Sequence, residues 1–164
     1  MSRFFKHFFC PPWRARRTFP KASLKAIKAA ITASEGRHMG ELRFVVENNL
    51  DIHQLRSGLS ARQRAIEVFS QLRVWDTEHN TGVLIYLLLA ERRLEIVADR
   101  GIHARVGDAA WTHICRSMET RFRDGAFEPG VLEGVEAITA LLRQHFPAVA
   151  DNPNEIPDAP VILP

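Results

Sequence analysis

Residues 83–89 read Val-Leu-Ile-Tyr-Leu-Leu-Leu, apolar at nearly every position, so a strand built from them has no face to show to water. It must lie inside a sheet covered by helices on both sides. The run is strand-sized and falls well short of the roughly 20 apolar residues that span a bilayer. Only Ala90-Glu-Arg-Arg93 separates it from a second run, residues 94–98, and that link is too short for the crossover helix that parallel strands need. The two runs are therefore expected to pair antiparallel as a hairpin.

The rest of the chain supplies the covering layers. Leu24, Ile27 and Ile31 are spaced as the apolar stripe of a helix that begins at Lys21 and closes near Gly36. Residues 41–47 alternate in part, Leu42, Phe44 and Val46 against Arg43, Val45 and Glu47, which predicts a strand with one better buried face. After a polar loop, Ser60 and Gln63 form a capping-box signature that opens a helix with Ala65, Ile66, Phe69 and Leu72 inward, ending near Trp75. A turn-forming segment over residues 76–82 leads into the apolar strand. Two further helices are expected. One covers residues 106–123, with Trp111, Cys115, Met118 and Phe122 inward. The other covers residues 129–146, with Leu132, Val135, Ile138 and Leu142 inward, and Asp124-Gly125 breaks them apart. The fold class is α/β: a three-layer α/β/α sandwich around a small mixed β-sheet with a central hairpin. At 164 residues one domain is expected, over residues 21–146. Residues 147–164, rich in Pro, Asp and Asn without periodicity, read as a disordered tail.

Residues 1–20 have a different character. Phe4, Phe5, Phe8 and Phe9 share one face of a short helix, which Cys10-Pro11-Pro12 ends, and Trp13, Arg14, Arg16 and Arg17 follow. Of the 22 lysines and arginines, eight precede the first acidic residue, Glu35; the other 14 face all 19 acidic residues, so the body is acidic. Aromatic rings beside cations suit an anionic membrane surface, or a membrane protein, as partner. An acidic body disfavours a nucleic-acid backbone. The alternative use of the same segment is to fold over the domain and cover a core edge. Lys6 and His7 interrupt the apolar stretch that a secretory signal requires, so a cytoplasmic protein peripheral to the inner membrane is expected. Cys10 is expected to be exposed and Cys115 buried, with no disulfide framework.

The hairpin also places chemistry. It brings Asn80, Thr81 and Gly82 beside Asp99, Arg100 and Gly101, with Asp76 and Asp108 entering the same edge. Asp76, Asn80, Asp99 and Asp108 are candidate oxygen ligands for Ca²⁺ or Mg²⁺. The alternative is local: Asp99 bonding backbone N–H groups and Asp108 capping a helix.

Gly40-Glu-Leu-Arg-Phe-Val-Val46, Asn80-Thr-Gly-Val-Leu-Ile85, Leu94-Glu-Ile-Val-Ala-Asp-Arg-Gly-Ile102 and Phe122-Arg-Asp-Gly-Ala-Phe-Glu-Pro-Gly130 together resemble the TPM-domain family over about residues 22–146. The resemblance implies an α/β/α sandwich that serves as a divalent-metal-binding fold, an acid phosphatase, or a scaffold for membrane-protein maintenance. Many family members carry an acidic residue where this chain has Asn80. Two readings follow: a non-catalytic accessory protein that binds through its arm, and a divalent-metal-dependent phosphatase using the Asp76, Asp99 and Asp108 edge.

Overall fold

The structure, a computed structural model, describes residues 3–150 and 152–164; the first two residues of the expected arm and residue 151 of the expected tail fall outside them. The sheet is built on β2 (Gly82–Leu88), buried at every residue as a strand apolar on both faces requires. β3 (Arg93–Ala98) returns antiparallel to it, with Val83 opposite Ala98 and Leu88 opposite Arg93. β1 (Glu41–Glu47) lies parallel on the other side, Glu41 opposite Gly82 and Glu47 opposite Leu88. β4 (Val161–Leu163) runs parallel to β1, giving the order β3-β2-β1-β4 in a mixed sheet.

The helices are α1 (Arg3–Phe8), α2 (Arg14–Thr18), α3 (Lys21–Glu35), α4 (Ile52–Arg56), α5 (Ala61–Gln71), α6 (Arg100–Val106), α7 (Asp108–Arg123) and α8 (Phe127–His145). The two-residue period of the strands sorts side chains between two cores. Leu42, Phe44, Ile85 and Leu87 pack with Ile27 of α3, Met118 of α7 and Ile138 of α8. Val45, Leu84, Tyr86 and Leu88 pack with Leu55 of α4 and Ala65 and Phe69 of α5. The three-layer sandwich is therefore as the sequence predicts. Among the described residues no helix is long and apolar enough to cross a membrane.

Four local expectations are corrected. The polar loop after β1 contains α4, whose capping box reciprocally joins Asp51 and Gln54. Ile66 does not face inward: α5 turns it to solvent, and its core face is Ala61, Ala65, Val68 and Phe69. The helix expected over residues 106–123 is α7, beginning at Asp108, and an unexpected helix, α6, precedes it and ends at Gly107, whose φ is 77°. Cys10 is buried, with its thiol donating to the Asn48 carbonyl.

Residues 147–150 and 152–164, expected to be disordered, are docked on the domain. Asn152 donates to the backbone carbonyls of Glu35 and His38, and Ile156 is buried with its N–H on Glu41 Oε2 at 3.0 Å. Asp158 accepts from the Thr32 hydroxyl and from Asn154, Arg43 donates to the Pro157 carbonyl, and β4 closes the sheet. Side chains of Glu41 and Arg43 take the Ile156 N–H and the Pro157 carbonyl, so this stretch is held without a hydrophobic period to read. The docked tail brings its own Asp158 beside Glu35 and Glu41, and the three carboxyl groups line a cavity of about 290 Å³. Burial lifts the Glu35 carboxyl up to about 9 against the pull of the Leu42 N–H, and lifts Glu41 to about 7. Burial raises Asp158 as well, but its bonds from Thr32, Asn154 and the Glu35 carboxyl hold it below the ordinary value.

Candidate functional site

The arm is anchored from beneath. His7, its side chain buried, sits between Glu91 and the backbone of Leu50: Nε2 lies 2.8 Å from Glu91 Oε1, and Nδ1 accepts the Leu50 N–H at 3.0 Å. The second bond fixes the tautomer, with the proton on Nε2 when the ring is neutral. Arg3 donates to the same carboxylate at 2.6 Å. Burial opposes ionisation of Glu91, but the bonds from His7 and Arg3 prevail and hold its carboxyl below the usual range. Asn48 makes the second anchor, its Oδ1 accepting the Ala15 N–H at 3.0 Å and its Nδ2 donating to the Pro11 carbonyl at 2.9 Å. Ala15 and Phe19 complete the attachment by entering the main core, where Phe19 meets Phe44 edge-on.

With the inner face so occupied, the aromatic face points away from the domain. Phe8 is 81% exposed, Phe9 68% and Trp13 62%, and Phe4 and Phe5 are about half exposed. The rings form a ridge: Phe5 stacks on Phe9 at 6.0 Å, and Phe8 meets Phe9 edge-on at 5.4 Å. Lys6, Arg14, Arg16 and Arg17 flank it, and no ion pair among the described residues involves any of them. One side of the arm covers the core edge, and the other presents rings and cations that make no ion pair among the described residues.

The second predicted site is only half assembled. The hairpin register does bring the start of β2 to the end of β3: the Asp99 N–H donates to the Gly82 carbonyl at 2.9 Å, and Gly101 lies so close to the His79 and Asn80 carbonyls that a β-carbon there would crowd both. Asn80 and Asp99 line one cavity of about 320 Å³. Asp108 lines a different groove, of about 410 Å³, where it stands 3.7 Å from His103; Asp76 lies on the exposed turn before β2. The three aspartates do not converge, because α6 intervenes between Asp99 and Asp108 and carries the chain away from the edge. Among the described residues no three His, Cys, Asp or Glu side chains come together as a metal cluster. Asp99 caps α6, its Oδ1 accepting the Arg100 N–H at 2.6 Å, while its buried Oδ2 has no partner. One carboxylate and one amide fall short of the six to eight oxygens that gather around a calcium ion, and for magnesium, which keeps several waters, they supply a single carboxylate. Of the candidate set, the structure brings Asn80 and Asp99 together and leaves Asp76 and Asp108 apart from them.

Cys115 lines the Asp108 groove, half-buried, and burial next to Glu95 and Glu119 pushes its thiol up to about 12, which leaves no nucleophilic thiolate. Sequence reasoning did not find His7, Asn48 and Glu91, the residues that fix the arm. Their signal lies in partners far along the chain.

The TPM domain family matches residues 15–141, a span that takes in α2 with its Ala15 anchor as well as the domain proper. The solved structure of the BA42 protein from the psychrophilic bacterium Bizionia argentinensis is similar at 29% identity and a TM-score of 0.77, covering 86% of this chain and 92% of that one. The N-terminal domain of a protein from P. gingivalis shares the fold at 19% identity and a TM-score of 0.62, covering 84% of this chain and 90% of that one. No curated protein matches the chain in sequence.

Proposed function

The chain belongs to the TPM-domain family, and on that premise we propose that it is a non-catalytic accessory protein that binds the cytoplasmic face of an anionic membrane through its arm. The observation that carries this reading is the division of the arm into an anchored inner side and an outer side of rings and unpaired cations. Folding alone does not account for the outer side, since large apolar side chains left in water beside one another mark an interaction surface. Burying a fully exposed phenylalanine is worth about 1.5–3 kcal/mol. A cation at an anionic bilayer adds about 1 kcal/mol. Each contact alone gives weak adsorption; the ridge and its cations acting together give reversible attachment. Because His7, Asn48 and Phe19 already hold the arm, attachment loses little further conformational freedom.

The test uses vesicle flotation. The intact chain is expected to float with vesicles of phosphatidylglycerol and phosphatidylcholine, less so at high salt, and to stay down with phosphatidylcholine alone. Substituting Phe5, Phe8 and Phe9 together by serine should abolish flotation with little loss of stability, since these side chains are exposed. Truncating residues 1–17 is the poorer test, because it also removes Ala15 from the core. Flotation that is unchanged in the triple variant, or absent from anionic vesicles with the intact chain, rejects the proposal.

A further inference from the structure

The arm and the turn between β2 and β3 border a cavity of about 370 Å³, within the size range of small-molecule sites. Three cations line it from two elements: Lys6 and Arg14 from the arm, and Arg92 from the turn. Lys6 and Arg92 are exposed and Arg14 is half-buried, so all three remain accessible to a ligand. None of them has an ion pair among the described residues. One carboxylate, Glu91, lies in the same wall, but Arg3 at 2.6 Å and His7 at 2.8 Å already bind its Oε1. Phe5 and Phe9 of the ridge supply the apolar side. Arg92 stands at φ 51°, a conformation that glycine adopts freely and a residue with a side chain does not. The turn thus holds a cation where its backbone favours glycine.

We propose that this cavity holds the phosphodiester headgroup of an anionic glycerophospholipid, with the phosphate among Lys6, Arg14 and Arg92 and the acyl end leaving along Phe5 and Phe9. The site rests on the membrane reading of the arm and adds to it a cation rooted in the domain itself. An arginine fork pairs with two phosphate oxygens at once, and a lysine adds a point charge. Arg14 spends one N–H on the Cys10 sulfur, at 3.8 Å, and keeps the rest of its fork for a ligand. Rings beside cations repeat the layering of a lipid, in which hydrocarbon adjoins phosphate. A metal ion is repelled by the three positive side chains. A zwitterionic headgroup carries a cation of its own into the same space, so the cavity favours lipids with net negative charge.

The experiment titrates the full chain with dihexanoyl phosphatidylglycerol, kept below the concentration at which it forms micelles, while following ¹H–¹⁵N shifts. Saturable shifts are expected at the amides of Lys6, Ala90, Glu91 and Arg92. Arg92→Gly removes the side chain and suits the backbone, so the fold is kept while binding should weaken about tenfold or more. Arg73→Gly is the matched control: Arg73 is also exposed, at φ 53°, and lies outside the cavity, so the same loss of charge there should leave binding unchanged. Inorganic phosphate and dihexanoyl phosphatidylcholine should each bind about tenfold more weakly or worse. Equal binding of phosphate identifies a free-phosphate site, and equal binding of phosphatidylcholine identifies adsorption by the rings alone. Either result overturns the proposal, as does an absence of saturable shifts or undiminished binding in Arg92→Gly. An intact chain that floats on anionic vesicles without binding the monomeric lipid defeats this site alone; a chain that does neither defeats the membrane role of the arm as well.

Discussion

Replacing Glu35 by glutamine should stabilise the protein, and by an amount that grows with pH. In the folded chain burial lifts the Glu35 carboxyl from 4.5 to about 9, and its proton is shared toward Asp158. The unfolded chain releases that proton above pH 4.5, so the stability Glu35 contributes is complete below pH 4.5 and is lost as pH rises toward 9. At about 1.4 kcal/mol per pH unit, the loss is roughly 3 kcal/mol by pH 7 and roughly 6 by pH 9. Relaxation and water entry around a buried acid reduce such figures, and about half is expected. Glutamine matches the neutral acid in shape, its oxygen can take the Leu42 N–H that Glu35 Oε1 accepts at 2.8 Å, and its NH₂ can face Asp158. Glu41 titrates in both proteins and subtracts out. Asp158, with its carboxyl held low, contributes stability that is lost only on acidification below its ordinary 3.8, outside the range tested. Urea unfolding at pH 5, 7 and 9 should give near-equal stabilities at pH 5, then an advantage for glutamine of about 1–2 kcal/mol at pH 7 and about 3 at pH 9. A difference that does not change with pH, or a glutamine variant that is weaker throughout, would show that Glu35 is ionised in the fold and refute the argument.

Two other substitutions probe the scaffold. Gly82→Ala places a β-carbon onto the Val74 carbonyl, which is backbone and cannot swing aside; a loss of about 3 kcal/mol in urea unfolding is expected, and a loss under 1 would contradict the packing described. Asn48→Ala leaves the Ala15 N–H and the Pro11 carbonyl without their partner, at a cost of about 2–4 kcal/mol, and should open the arm to trypsin at Arg14, Arg16 and Arg17. Equal cleavage rates in the two proteins would mean that Asn48 does not hold the arm.

What the sequence disclosed followed from local rules. The hairpin was forced by an apolar run and a short link, the start of α5 by Ser60 and Gln63, and the nearness of Asn80 to Asp99 by strand register. Where long-range pairing decides, the sequence is silent. The tail is held by Glu41, Thr32 and Arg43, more than a hundred residues earlier, so its own composition reads as disorder. His7 and Asn48 look incidental until Glu91 and Ala15 are placed beside them. At the acidic edge, the pairing rule reached as far as Asp99 and no further, since α6 was not foreseen.

The two banks of the sheet are guarded unequally. On the outer side of β3, Arg62 reaches the Ile96 carbonyl and Glu119 reaches the Leu94 N–H, so side chains rooted in helices already occupy the groups a foreign strand would seek. On the opposite bank the shield is a ribbon of three half-buried residues. Local opening favours such short, shallow segments, and hydrogen exchange should therefore reach 161–163 long before 83–88. Each excursion uncovers a length of β1 carrying Val45 and Val46, an adhesive margin on which another molecule could template itself. Solubility during storage, then, should depend on how firmly that final ribbon is clasped.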